Sequence, residues 1–266
     1  MIERRFTNRC SMRITQLSFI SMISVIVLAF GSAAPAGAVV PDLTGRLIAL
    51  DAGHGNGETG AENKKYPTVI EAEVNQTVAL ALEQKLMAAG ATVVFTDRVS
   101  SRRERVRSAI DKCKATALAR ACDILVSVHH NGSTDPTHDG TLAVYNEQQD
   151  IPLATAIHDA LITSLGLPDE GYLSGGYGIT VYGHLISAVS EGYYITNDCE
   201  AELYLYRTTL SASCNKTLYP DGDRVNQEAL ALFDGVANYF GAVPPDGGGG
   251  GGGKPDKCTP WPSCRN

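Results

Sequence analysis

With 266 residues, 44% hydrophobic and 19% charged, the chain can bury a core of its own, and its composition excludes wholesale disorder and a multi-span membrane protein. The formal net charge is −7. Removing residues 1–38, read below as an export leader, leaves 18 basic and 28 acidic residues, a balance that argues against a phosphate-backbone binder, so nucleic acid is not an expected partner.

Arg4, Arg5, Arg9 and Arg13 precede an apolar run over about residues 17–30, and Ala36-Gly37-Ala38 offers a small-residue cleavage site. Residues 1–38 therefore read as a signal peptide. The alternative is an uncleaved anchor, for which the run is short. Cys10 would leave with the leader, and six cysteines remain, an even number that suits disulfides formed outside the cytoplasm. Their order favours Cys113 with Cys122, Cys199 with Cys214, and Cys258 with Cys264. A cysteine zinc site is the rival, and no C-x-x-C pair supports it.

Leu47 to Leu50 reads as a buried strand that opens into a loop at Asp51-Ala52-Gly53. From Glu71 to Ala89, Val74, Val78, Ala81, Leu82 and Leu86 recur at helical spacing, and Gly90 is a stop signal. Thr92 to Thr96 reads as a strand, Arg102 to Arg120 as a charged helix and Ile124 to Val128 as another strand. Thr141 to Tyr145 continues as a strand, Pro152 to Leu165 as a helix, Tyr172 to Gly178 as a Gly-rich loop, and Ile186 to Val189 as a strand that ends at Glu191. A last amphipathic helix runs from about Val225 to Phe240.

This alternation predicts one α/β domain over residues 43–241, with a twisted, mostly parallel central sheet flanked by helices on both faces. Pro244-Pro245-Asp246 and the seven glycines that follow read as a flexible linker over 242–257. Residues 258–266 form a Cys-bounded tail carrying Trp261, either an exposed contact loop or a disordered terminus.

Polar residues cluster at the ends of the apolar runs, where parallel sheets build their sites. His54 follows the first strand in LDAGHG, between glycines that allow close approach. His129 ends ILVSVHHN in the same topological position. Glu71 opens the first long helix, where a carboxylate also complements the helix dipole, and Glu191 ends a late strand in VSEGYYITN. Two imidazoles and one carboxylate with an open fourth position make a catalytic zinc set. Without the histidines, the dipole role of Glu71 would be the simpler reading.

These residues resemble the zinc-dependent N-acetylmuramoyl-L-alanine amidases. Asp51-Ala-Gly-His54-Gly55 is similar to the family's D-P-G-H-G, Glu71-Ala-Glu-Val-Asn75 to E-x-x-x-N, Ser127-Val-His129-His130-Asn131 to S-I-H-x-N, and Glu191-Gly-Tyr-Tyr-Ile-Thr-Asn197 to E-x-G-F-x-S-N. Arg105-Val106 looks like part of its E-R-V segment. The resemblance covers about residues 45–240. It implies one zinc ion per chain held by His54, Glu71 and His129, with Glu191 as catalytic acid and base on peptidoglycan.

The departures are Ala52 in place of proline, a missing proline near Ile186, and Gly192-Tyr193 where the family often has another residue and then glycine. His130 should face away from the metal because successive strand residues alternate faces, and Glu73 lies two helix positions from Glu71 and faces elsewhere. His184 is a candidate substrate contact or a surface histidine. The interval from His129 to Glu191 leaves no obvious room for the blocking helix of some relatives, so an open site is expected. The whole reading is a secreted or periplasmic monomer without stable membrane insertion. Its rivals are a zinc peptidase acting within the stem peptide and a non-catalytic wall-binding module.

Overall fold

The structure, a computed structural model, describes residues 41–175, 178–206, 213–215, 217, 219 and 222–241. The expected leader, the glycine linker and the cysteine pair of the tail lie outside the described residues. A six-stranded sheet is built from β1 (Leu47–Ala52), β2 (Thr92–Phe95), β3 (Ile124–Asn131), β4 (Thr141–Tyr145), β5 (Asp169–Ser174) and β6 (Ser187–Tyr194), in the order β2-β1-β3-β6-β4-β5. All neighbours run parallel except β4 and β6. The α/β architecture with a mostly parallel sheet is the one expected.

Alternation along the central strands explains the two layers. Ile48, Leu50, Val126 and Val128 face one apolar cluster, and Leu47, Ala49 and Leu125 face the other, because successive strand side chains point to opposite faces. The first cluster packs under α1 (Glu71–Ala88), α3 (Ile151–Leu165) and α5 (Arg224–Tyr239). The second packs under α2 (Arg102–Ala115) and a short 3₁₀ segment, Gly178–Val181. On α1, Val74, Val78, Leu82 and Leu86 are fully buried, each worth about 1.5–3 kcal/mol relative to exposure. Gly235 lets α5 approach α3 closely, since a Cβ there would lie 2.7 Å from the Ile157 Cα.

Several expected boundaries move. The last charged helix turn fails: α2 stops at Ala115, where Thr116 turns extended and its hydroxyl donates to the Cys113 carbonyl at 2.7 Å. The chain then returns to close the Cys113–Cys122 disulfide. β3 continues past His129 to Asn131, and β6 continues past Glu191 to Tyr194, so both residues sit within strands and not at their ends. The first part of the expected Gly-rich loop, Tyr172 to Ser174, belongs to β5, an exposed edge strand whose polar DEGYLS sequence carries no apolar alternation.

A fifth helix, α4 (Asp198–Tyr206), gave no periodic signal because its buried residues include the carboxylates Glu200 and Glu202. Arg224 forms a two-pronged ion pair with Glu200, with both side chains fully buried. The second expected disulfide, Cys199–Cys214, follows the start of α4. Among the described residues, no helix is long and apolar enough to cross a membrane.

Candidate metal centre

The three residues singled out as ligands meet above the carboxyl-end half of the sheet. His54, Glu71 and His129 each offer one donor atom, and these atoms lie within 4.8 Å of one another. Glu71 sits between the rings, with Oε1 2.8 Å from His129 Nδ1 and Oε2 3.1 Å from His54 Nε2. The remaining capacity of Glu71 is filled by Ala61 N–H to Oε2 at 2.9 Å, His130 N–H to Oε1 at 3.3 Å and Asn75 Nδ2 to Oε1 at 3.3 Å. Burial raises the Glu71 pKa, but the hydrogen bonds from His129 and His54 outweigh it and hold the carboxyl well below the usual range. The group is therefore an anionic donor flanked by two imidazoles.

Local backbone chemistry brings them together. Gly53 follows β1, and a Cβ there would lie 2.2 Å from the His129 ring nitrogen Nε2; only glycine admits the ring. His54 itself has φ 60, a left-handed conformation that costs of order 1–3 kcal/mol for a non-glycine residue. Arg105 of α2 braces this turn from below. Its guanidinium donates to the His54 carbonyl, to the Ala52 carbonyl at 2.9 Å and to Asp51 Oδ1 at 3.0 Å. Asp51 also accepts from Thr96 at 2.5 Å and Ser127 at 2.7 Å, so the buried pair is fully hydrogen-bonded. In the sequence Arg105 stands out only as part of a motif; its role as a brace depends on the fold.

Glu191 stands beside His129, its register partner on the neighbouring strand. Partners on adjacent parallel strands share a face, so the two side chains project to the same side. Burial pushes the Glu191 carboxyl up to about 7, countered by the His129 ring and reinforced by the Glu71 charge. Glu191 Oε2 is buried and has no hydrogen-bond partner, which is unusual for a buried carboxylate oxygen and leaves it free for a guest. The donor set suits zinc: two imidazoles and a carboxylate with room for further coordination.

His130 is buried and points away from the proposed ligands, and Glu73 is exposed, as their spacing implies; His184, a candidate substrate contact or surface histidine, has an 88% exposed side chain beside Glu147.

A profile of the family described as N-acetylmuramoyl-L-alanine amidase matches residues 48–214, more than half of the chain. The chain belongs to the N-acetylmuramoyl-L-alanine amidase family. The chain is 27% identical over 205 residues to the N-acetylmuramoyl-L-alanine amidase LytC of Bacillus subtilis (strain 168), a match that covers 74% of this chain but only 36% of LytC. Among solved structures, the chain is similar to the catalytic domain of CwlV from Bacillus (Paenibacillus) polymyxa var. colistinus, with a TM-score of 0.58, 23% identity and coverage of 74% of this chain and 99% of that one. It is likewise similar to the N-acetylmuramoyl-L-alanine amidase of Clostridium difficile 630, with a TM-score of 0.59, 20% identity and coverage of 77% and 98%. At these identities the two structures support the fold.

Proposed function

We propose that this amidase is a zinc-dependent peptidoglycan hydrolase that cuts the amide between the lactyl group of N-acetylmuramic acid and the L-alanine of the stem peptide. The observation that carries this reading is the meeting of His54, Glu71 and His129 within 4.8 Å, beside a buried carboxylate with an unpartnered oxygen at Glu191. His54, Glu71 and His129 would hold the ion. When bound, zinc supplies a Lewis acid for the scissile carbonyl and makes the attacking water more acidic.

Glu191 accepts a proton from that water as the water oxygen bonds to the carbonyl carbon. It then returns the proton to the amide nitrogen as the carbon–nitrogen bond breaks, so that one water is consumed and a lactyl carboxylic acid and a free alanine amine are released. Asp51 and Arg105 keep the His54 turn in place during both steps. The stem peptide carries free carboxylates, and an open groove of about 680 Å³ between α2 and Tyr182-Gly183, lined by Arg103 and Arg107 together with Glu104, Val106 and Ile110, would receive it.

The two disulfides of the described residues support action outside the reducing cytoplasm, with residues 1–38 as leader, 242–257 as linker and 258–266 as tail. Mass spectrometry of digested peptidoglycan tests bond and metal together. Stem peptides beginning with free L-alanine are expected, absent when the enzyme is treated with EDTA and restored by zinc. Cleavage between stem amino acids would identify a peptidase instead, and activity indifferent to chelation would reject the metal.

A further inference from the structure

On the α5 side of the sheet lies a carboxylate that the proposed chemistry does not use. Glu228 and His130 both have fully buried side chains, with Glu228 Oε2 2.9 Å from His130 Nε2. The other ring nitrogen, Nδ1, lies 2.7 Å from Asn75 Oδ1. The amide of Asn75 can point only one way, because its Nδ2 lies 3.1 Å from the Gly53 carbonyl and 3.3 Å from Glu71 Oε1, both acceptors. Asn75 Oδ1 therefore accepts, and His130 Nδ1 carries the proton it accepts. A further proton lies between His130 Nε2 and Glu228. A directed chain of hydrogen bonds thus runs from α5 through β3 and α1 to the Glu71 carboxylate and to the carbonyl just before His54.

Glu228 touches the site a second time. Its Oε1 occupies the space of a side chain at Gly192, where a Cβ would lie 2.5 Å away, and Gly192 directly follows Glu191. The departure from the family pattern at Gly192-Tyr193 has a local cause here: the strand passes against a buried carboxylate, and the Tyr193 ring packs edge-on to His130 with centroids 4.3 Å apart. One side chain of α5 therefore bears on both the Glu71 carboxylate and the backbone that carries Glu191.

We propose that Glu228 is a positioning residue which, through His130 and Asn75, holds Glu71 in the orientation that binds the metal; this rests on the reading of His54, Glu71 and His129 as ligands. Groups that orient metal ligands from behind typically change affinity by 10–100-fold when removed. Glu228→Met keeps volume but removes the hydrogen bond. Glu228→Gln keeps a bond, since its amide can donate to His130 Nε2. Leu161→Ala is the control for lost stability alone, because Leu161 is a fully buried core residue on α3.

Zinc affinity by chelator competition, together with the melting temperature of the metal-free protein, separates the roles. We expect Glu228→Met to weaken zinc binding about tenfold, Glu228→Gln to stay within about threefold of wild type, and Leu161→Ala to lower the melting temperature without weakening zinc. Gly192→Ala, which displaces the Glu228 carboxylate without deleting a polar group, should also weaken zinc, and it serves should Glu228→Met not fold. Wild-type affinity in Glu228→Met or in Gly192→Ala, loss in Glu228→Gln equal to that in Glu228→Met, or an equal loss in Leu161→Ala would each overturn the proposal. A wild-type protein that binds no zinc would overturn the ligand reading as well.

Discussion

At the scale of single residues, the division of labour among the four acidic and imidazole groups follows from what surrounds them. Glu71 is saturated by donors on both oxygens, so it is an anion with no freedom to carry protons back and forth. Glu191 has one oxygen without a partner in a buried setting, so it can exchange a proton with a guest at little structural cost. Glu191→Gln should therefore leave zinc content at one ion per chain while lowering kcat by about 10²–10⁴. Metal analysis and turnover on purified peptidoglycan check this, and an active variant or a zinc-free one would contradict the assignment.

These four residues were legible in the sequence because each stands at the end of an apolar run or at a helix start, and the sheet gathers such positions at one edge. Asn75 and Asp51 lay inside the same motifs, but what they touch depends on contacts far along the chain. Glu228 left no mark at all, since a lone glutamate on an amphipathic helix reads as solvated surface until its helix is docked.

At the scale of elements, α2 both braces the site and lines a groove that the proposed function assigns to the stem peptide. Its inner face sends Arg105 into the sheet to brace the His54 turn. Arg103 and Arg107, one helical turn apart, line the groove between α2 and Tyr182 together with Glu104. The helix was expected from its charge pattern, but its six arginine and lysine residues before Ala115 look alike in sequence, and only packing sorts the buried Arg105 from the other five.

Exposed arginine–carboxylate pairs are worth about 0.2–1 kcal/mol each. Replacing both Arg103 and Arg107 by alanine should therefore raise KM for substrates with free stem carboxylates by about fivefold with kcat unchanged. The effect should shrink at high salt and vanish on substrates whose stem carboxylates are amidated. Steady-state kinetics on the two substrate types checks this, and equal KM values for variant and wild type would remove the groove from the substrate path. The elements missed from sequence, β5 and α4, share a cause: one is a polar edge strand and the other buries carboxylates, so neither carries the apolar period on which such a reading rests.

At the scale of the whole molecule, the acidic balance of the chain is carried partly inside it, and that sets how stability responds to pH. Asp139 is buried. Its Oδ1 accepts from the backbone N–H of Gly140 at 2.9 Å and of Tyr194 at 3.0 Å, and the Tyr219 hydroxyl also interacts with the buried carboxyl. Burial pushes its carboxyl up to about 8, the nearby Glu200 charge adds to this, and the two backbone donors and the Tyr219 hydroxyl only partly offset them. A carboxyl with a raised folded pKa binds its proton more tightly in the folded than in the unfolded state. Its contribution to stability is thus complete below the unfolded value near 4 and declines as pH rises toward about 8.

Asparagine at this position can keep both accepted hydrogen bonds and has no charge to bury. Asp139→Asn should therefore gain on wild type steadily between about pH 4 and pH 8. The comparison belongs in the metal-free state, where proton-coupled zinc binding does not add its own slope. Calorimetric melting curves of the two proteins across that range, compared by difference, isolate the one group. Curves that run parallel from pH 4 to pH 9 would show that Asp139 is ionised in the folded protein throughout and that burial does not hold its proton.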